Sequence, residues 1–434
     1  MGKFGASVEN ESIEQIDGQQ ITQLLQNYGS PLFVISERQI RQSFREAQRA
    51  FSTRYPKVQF AWSYKTNYLS AICNLYHSMG SWAEVVSGFE YQKAIQNGVP
   101  GDKIIFNGPE KKPEDVLLAL KNNSLLHIDH LDELQIISKL CAEHQLKAKV
   151  AVRVNMDTGL YPSWDRFGFN LESGDAWEAI VAIQNNSSLE LKGLHCHIGT
   201  FVLSLSAYTK AAEKMAQLAL RIKQEFSLAI QYIDMGGGFA SKNNLKGSYL
   251  PGRDSNPGFE KYAEAICSSL LSAGFDRNQL PTLILETGRA LIDDAAWLLG
   301  KVLSHKRLAD GRRATIVDFG VNILFTSFWY DHTITVVKKQ SEHTEDTILY
   351  GPLCMNIDVV REHISLPPLQ RDDVLMVHSV GAYNMTQWMQ FINLRPAIVL
   401  IDENDQVHII REAETLQHVS AAERVPTHLS SFSI

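Results

Sequence analysis

The stretch Phe60-Ala61-Trp62-Ser63-Tyr64-Lys65-Thr66-Asn67 reads as a short apolar strand that ends on one lysine. An amine there costs free energy unless it has a partner or a chemical task. Partly desolvated lysine amines lose their proton readily and form Schiff bases with aldehydes. Taken alone, Lys65 reads more simply as a side chain that snorkels to solvent. The other reactive stretches reverse that reading. Gly236-Gly237-Gly238 could be only a flexible turn, but consecutive glycines before a helix can aim backbone N–H groups at a phosphate. Arg289 supplies a forked cation for phosphate oxygens, with a structural salt bridge as its plainer use. Thr200 could add a hydroxyl donor. Glu286 follows Leu283-Ile284-Leu285, and a carboxylate on so apolar a strand needs a partner. A protonated pyridine nitrogen is one such partner. His195 and His197 lie two apart on a strand and share a face. With Glu286 or Asp234 they would make a metal site. That reading leaves Lys65 and the glycines without a task, so no metal is expected.

These residues need elements to hold them. From Val58 onward an apolar strand, a loop and a helical stretch recur about eight times. The expected strands are Gln59–Tyr64, Trp82–Val86, Lys103–Phe106, Leu125–Ile128, Lys149–Val154, Gly193–Ile198, Gln231–Met235 and Thr282–Glu286. Helical patterns such as Pro113–Lys121, Leu131–Glu143, Ser206–Glu225 and Phe259–Ala273 lie between them. This alternation predicts an α/β fold, a (β/α)8 TIM-like barrel, whose site lies at the C-terminal ends of the strands. An open doubly wound sheet also alternates this way, but no GxGxxG follows the first strand. After Arg289 strand-like runs take over. The expected organisation is a barrel over residues 37–288 and a mainly β domain over 18–36 and 289–434. Residues 1–17 read as a flexible arm.

The chain has 434 residues, 44% of them hydrophobic, and a net charge of -7. An ordinary soluble composition with an acidic balance argues against a nucleic-acid partner. No apolar run is long enough to span a membrane, and the N-terminus lacks a signal-peptide core. Five scattered cysteines without CxxC spacing read as reduced cytoplasmic thiols.

Together these features describe pyridoxal 5'-phosphate bound on a barrel. The sequence resembles the fold-type III pyridoxal-phosphate decarboxylases, the group of diaminopimelate, ornithine and arginine decarboxylases. The resemblance runs from about Pro31 to Pro396. It rests on Ser63-Tyr64-Lys65-Thr66-Asn67, Glu84-Val85-Val86-Ser87-Gly88, His195-Cys196-His197-Ile198-Gly199-Thr200, Gly236-Gly237-Gly238-Phe239, Glu286-Thr287-Gly288-Arg289, Gly351-Pro352-Leu353-Cys354 and Gly381-Ala382-Tyr383, in the family's order. It implies that Lys65 carries the cofactor and His197 stacks on its ring. Gly236, Gly237, Gly238, Arg289, Thr200 and Tyr383 would hold the phosphate. Glu286 would pair with the ring nitrogen, and Glu84 would lie near the cofactor. It also implies a homodimer whose active sites are shared across the interface. Cys354 from the partner subunit would then be the acid that returns a proton to the substrate carbon. Without that context, Cys354 reads as a small buried apolar residue.

The substrate end departs from the family. Met355 stands where an acidic residue usually follows the cysteine. Thr326, in Thr326-Ser327-Phe328-Trp329-Tyr330, stands where diaminopimelate decarboxylases carry an arginine. Without those charged readers the pocket suits a neutral or longer side chain, with Met355, Thr326 and Tyr330 as its candidate contacts. The expected substrate is an acylated, carrier-linked or otherwise non-standard diamino acid of a siderophore- or antibiotic-type pathway. Three alternatives stay open: diaminopimelate decarboxylation, racemisation or epimerisation on the same barrel, and a non-catalytic cofactor-binding homologue.

Overall fold

A computed structural model describes residues 13–160, 164–248, 250–338 and 343–430. Its chain divides into two compact units. The first comprises Gln39–Ala295 together with Gly381–Thr386, and the second comprises the remaining described residues. The short helix Arg289–Ile292 therefore stays with the first unit, and the chain returns to that unit near residue 381. Most of the N-terminal arm, residues 1–12, lies outside the described residues. Gln15–Ile16 pairs with Gln19–Gln20 as a two-residue ribbon.

The first unit is the expected barrel. Its strands are Val58–Ser63, Trp82–Val85, Ile104–Phe106, Leu125–Ile128, Ala148–Asn155, Leu189–His195, Tyr232–Asp234 and Thr282–Leu285. Each runs parallel to its neighbour in sequence order. Thr282–Leu285 pairs with Val58–Ser63 and closes the ring. Helices between strands follow their local chemistry. Pro113–Lys121 opens on proline, carries Glu114 and Asp115 in its first turn and ends on Lys121, which matches the peptide dipole. Leu205–Phe226 buries Ala207, Tyr208, Ala211, Ala212, Met215, Leu218 and Ile222, a stripe at helical spacing. Ala61, Ile105, Leu125, Ala151, Tyr232 and Ile284 form one apolar layer inside the barrel.

The second unit is mainly β. One sheet runs Val359–Leu366, Glu345–Tyr350, Arg313–Val317, Ala296–Arg307, Leu32–Ser36, Ile398–Ile401, Val407–Arg411. Leu32–Ser36 is buried along its whole length between two neighbours. This explains why it reads as an unbroken apolar run. Ile16, Ile21, Leu24, Leu299, Met376 and Val399 belong to its core. Val359–Leu366 carries no clean strand pattern in the sequence. It is a half-exposed edge strand whose Arg361, Glu362 and His363 interrupt the apolar pattern.

Candidate active site

The barrel places a polar layer directly above its apolar one. Side chains on a strand alternate, so a step of two residues stays on one face. Stepping from Ala61, Trp82, Leu125, Ala151, Gly193, Tyr232 and Ile284 reaches Ser63, Glu84, His127, Arg153, His195, Asp234 and Glu286. Asn107, two past Ile105, completes the ring. Glu84, Asn107, His127, His195, Asp234 and Glu286 are all buried. The layer sits at the C-terminal ends of the strands, where barrel enzymes carry their chemistry.

Lys65 lies just beyond the first strand, in the single turn Tyr64–Thr66 and not on the strand itself. Its Nζ donates to Glu84 Oε2 at 2.8 Å and Oε1 at 3.0 Å. Burial pulls the ammonium down, but the carboxylates of Glu84 and Glu286 outweigh it and hold the amine above its ordinary value. Ser63 Oγ also donates to Glu84. Asn107 Nδ2 bridges the two acids, at 3.1 Å from Glu84 Oε1 and 2.6 Å from Glu286 Oε1. A lone asparagine after Ile104-Ile105-Phe106 carries no local signal for that role. The period-two step from the apolar layer would have found it.

Arg289 gathers a second group of side chains. Arg289 Nη2 donates to Thr200 Oγ1 at 3.2 Å. Its guanidinium lies 4.5 Å from the Tyr383 ring and 5.7 Å from the Phe201 ring. Tyr383 and Phe201 both hold left-handed backbone, at φ 66° and 53°. Such backbone persists only where surroundings enforce it. For Tyr383 they are visible: its N–H donates to Thr66 O at 2.9 Å, Thr386 Oγ1 donates to Lys65 O at 2.9 Å, and Asn67 Nδ2 donates to Gly381 O at 3.1 Å. Asp293 accepts from Ser241 at 2.6 Å, Asn243 at 2.9 Å and the Ala382 N–H at 3.2 Å. It is a buried clamp that the sequence reading missed.

The glycines follow the seventh barrel strand, Tyr232–Asp234, and two of their N–H groups have partners within the chain. Gly236 N–H donates to Asp234 Oδ1 at 2.8 Å and Gly237 N–H to His197 Nδ1 at 3.2 Å. No helix follows them directly; the next is Gly252–Ser255. Their requirement is space: a Cβ on Gly238 would sit 2.3 Å from Gly199 O, at φ 86°. His197 is not paired with His195 as strand spacing suggested. The strand ends at His195, and His197 turns to the glycines and to the Trp164 ring, 5.3 Å away. Burial, then the charges of Lys65 and Arg153, push the His197 imidazole down to about 3, so it is neutral. His195 instead lies with His127, Asp234 and Glu286, one ligand-type atom of each being within 4.8 Å of the others.

Cys354, Met355, Thr326 and Tyr330 belong to the β unit. Cys354 is exposed, not buried as its plain reading had it, while Cys73, Cys141, Cys196 and Cys267 are buried. Met355 is half-buried. Thr326 is buried, with its hydroxyl 2.8 Å from His332 Nε2. Tyr330 is buried with its ring centroid 5.7 Å from that of His332. No helix among the described residues is long and apolar enough to cross a membrane.

The donor set of the barrel unit fits pyridoxal 5'-phosphate. Lys65 offers an amine to an aldehyde, and Glu286 offers a carboxylate to a ring nitrogen. Arg289, Thr200 and Tyr383 together suit a phosphate.

Comparison with known proteins agrees. Residues 38–293 match the family described as "Pyridoxal-dependent decarboxylase, pyridoxal binding domain". The chain is 31% identical to the diaminopimelate decarboxylase of Methanocaldococcus jannaschii over 432 residues, 95% of each chain. It is 27% identical to that of Bacillus subtilis, over 93% of this chain and 94% of the other. The crystal structure of the M. jannaschii enzyme matches with a TM-score of 0.87 at 30% identity, covering 97% of this chain and 99% of that one. The chain therefore belongs to the pyridoxal-dependent decarboxylases: it is a carboxy-lyase acting on an amino acid, with pyridoxal 5'-phosphate as its cofactor.

Proposed function

We propose that the protein removes the α-carboxylate of diaminopimelate or a close analogue. The observation that carries this reading is the end-to-end match to diaminopimelate decarboxylases, over more than nine-tenths of both chains in each pairing. The M. jannaschii relative was also solved with L-lysine, which is the product of that reaction. The bound cofactor supplies an aldehyde and a protonated ring that accepts the electron pair left by carbon dioxide.

The residues of this chain do the rest. Lys65 presents its amine, and Glu84 holds the proton on it until the amine is needed. Glu286, fixed by Asn107, keeps a negative charge at the ring-nitrogen end. Arg289, Thr200 and Tyr383 hold the phosphate, with the glycines allowing close approach. The neutral His197 offers an uncharged face to the ring. Cys354 is the acid that returns a proton to the substrate carbon, and it reaches the site from a second copy of the chain in a homodimer. Cys354 is exposed while the other four thiols are buried, which suits a working, reduced cysteine and a cytoplasmic setting.

Thr326 and Met355 favour a second reading, in which the substrate's far end is neutral, acylated or carrier-linked. Neither side chain carries a charge, and the Thr326 hydroxyl is engaged by His332. A distal carboxylate or ammonium would meet no ionic partner from these two positions. Turnover of free diaminopimelate, set against N-acylated diamino acids, decides between the readings. Efficient carbon dioxide release from the free diacid supports the first. Release only from acylated substrates overturns it and establishes the second.

A further inference from the structure

On the barrel floor four residues bring ligating atoms together, and three of them, His127, His195 and Asp234, have no part in the decarboxylation proposed above. His127, His195, Asp234 and Glu286 come from four strand ends, and one ligand atom of each lies within 4.8 Å of all the others. None of the four is more than 5% exposed. Among the described residues, His127 Nδ1 and His195 Nδ1 have no hydrogen-bond partner, and His195 Nε2 has the Glu286 carboxylate 3.3 Å away. Buried polar atoms in native proteins are nearly always satisfied, so a group of them points to a missing ligand.

The outer contacts suit a metal. His127 Nε2 is engaged by the Tyr232 hydroxyl at 3.0 Å, which leaves Nδ1 to ligate. Metal-binding histidines are oriented through their second nitrogen in this way. Glu286 Oε1 is held by Asn107 at 2.6 Å, which leaves Oε2 3.3 Å from His195 Nε2. Nitrogen and oxygen ligands of a tetrahedral zinc ion lie about 3.3 Å apart, so this pair already stands at the required separation. Two carboxylates offset the ion's charge. Arg153 and Lys65 oppose it, although Asp129 and Glu84 answer them at 3.2 and 2.8 Å.

We propose that the cofactor-free protein binds one divalent transition-metal cation of the zinc class at His127, His195, Asp234 and Glu286, and that cation and cofactor exclude each other through Glu286. The ion site stands on the cluster alone. The exclusion rests on the reading of Glu286 as partner of the ring nitrogen.

The test uses the full chain freed of cofactor, titrated with Zn²⁺ by calorimetry and with Co²⁺ by its visible absorption. The expected result is one ion per chain with tetrahedral Co²⁺ bands. His195→Gln and Asp234→Asn should each weaken binding about 10–100-fold, and saturating pyridoxal phosphate should abolish it. His127→Gln, checked for fold by circular dichroism, serves if either of the others fails to fold. No binding, or binding unchanged in the folded variants, overturns the site. Undiminished binding to protein whose absorbance shows bound cofactor overturns the exclusion. Failure of the cofactor itself to bind would instead count against the decarboxylase reading, and the same absorbance separates the two.

Discussion

The amine of Lys65 is held between two opposing effects, and Glu84 decides the balance. Burial favours the neutral amine, while the carboxylates at 2.8–3.0 Å and beyond favour the ammonium and win. An amine attacks an aldehyde only when unprotonated, so capture of cofactor by the free protein should speed up as pH rises. Glu84→Gln removes the nearer charge and leaves burial less opposed. The amine's pKa should then fall, and capture at pH 7 should become roughly tenfold faster, as a drop of about one unit would give. Stopped-flow absorbance across pH reads this directly. A slower capture in the variant, with an unshifted pH profile, would show that Glu84 orients the amine and does not govern its charge.

The segment Gly381–Thr386 carries Tyr383 to the Arg289 guanidinium, and Asp293 holds it. One carboxylate receives three donors, from Ser241, Asn243 and Ala382, and the Asp293 carbonyl takes the Gly381 N–H at 3.1 Å. Burial pushes Asp293 up to about 7, with Arg289 pulling the other way. The folded value is thus raised above the unfolded one. Its contribution to stability is complete below about pH 4 and is lost as pH rises through 7. Asparagine puts an NH2 group, which cannot accept, where one carboxyl oxygen stands, so Asp293→Asn should be less stable by about 1–3 kcal/mol at pH 5. That gap should narrow towards pH 8, because the variant lacks the titration. Urea unfolding of the cofactor-free protein at several pH values measures it, and a gap constant across pH would show that Asp293 does not titrate in this window. The clamp was invisible in the sequence because its parts lie some 50 to 90 residues apart and only the barrel brings them together. Lys65, Glu286 and Arg289 were legible for the opposite reason. Each is a charged residue set against an apolar strand or a glycine, and that local conflict can be read without a fold. The barrel itself was legible because its strands and helices repeat with two distinct periods. The edge strand Val359–Leu366 was not, because exposure lets charged residues break its pattern.

At the scale of the whole molecule, the barrel unit holds Lys65, Glu84, Glu286 and Arg289, while Cys354 belongs to the β unit and is exposed. An exposed thiol on a separate unit can serve as the proton donor of a second chain as readily as of its own. A two-fold dimer makes two such exchanges at once, since each copy gives the other what it receives. This yields a test that depends on assembly alone. Lys65→Ala should bind no cofactor covalently, and Cys354→Ala should bind cofactor but release carbon dioxide very slowly. Denatured together in equal amounts and refolded, the two variants should pair at random. Half the dimers are then mixed, and each mixed dimer holds one site with both Lys65 and Cys354 intact. Recovered activity should approach about one quarter of the wild-type value, against almost none for either variant refolded alone. If both residues act within one chain, every site lacks one of them and mixing recovers nothing. The recovered fraction therefore separates a shared site from a private one on any amino acid that the wild-type protein turns over, whether or not it is the natural substrate.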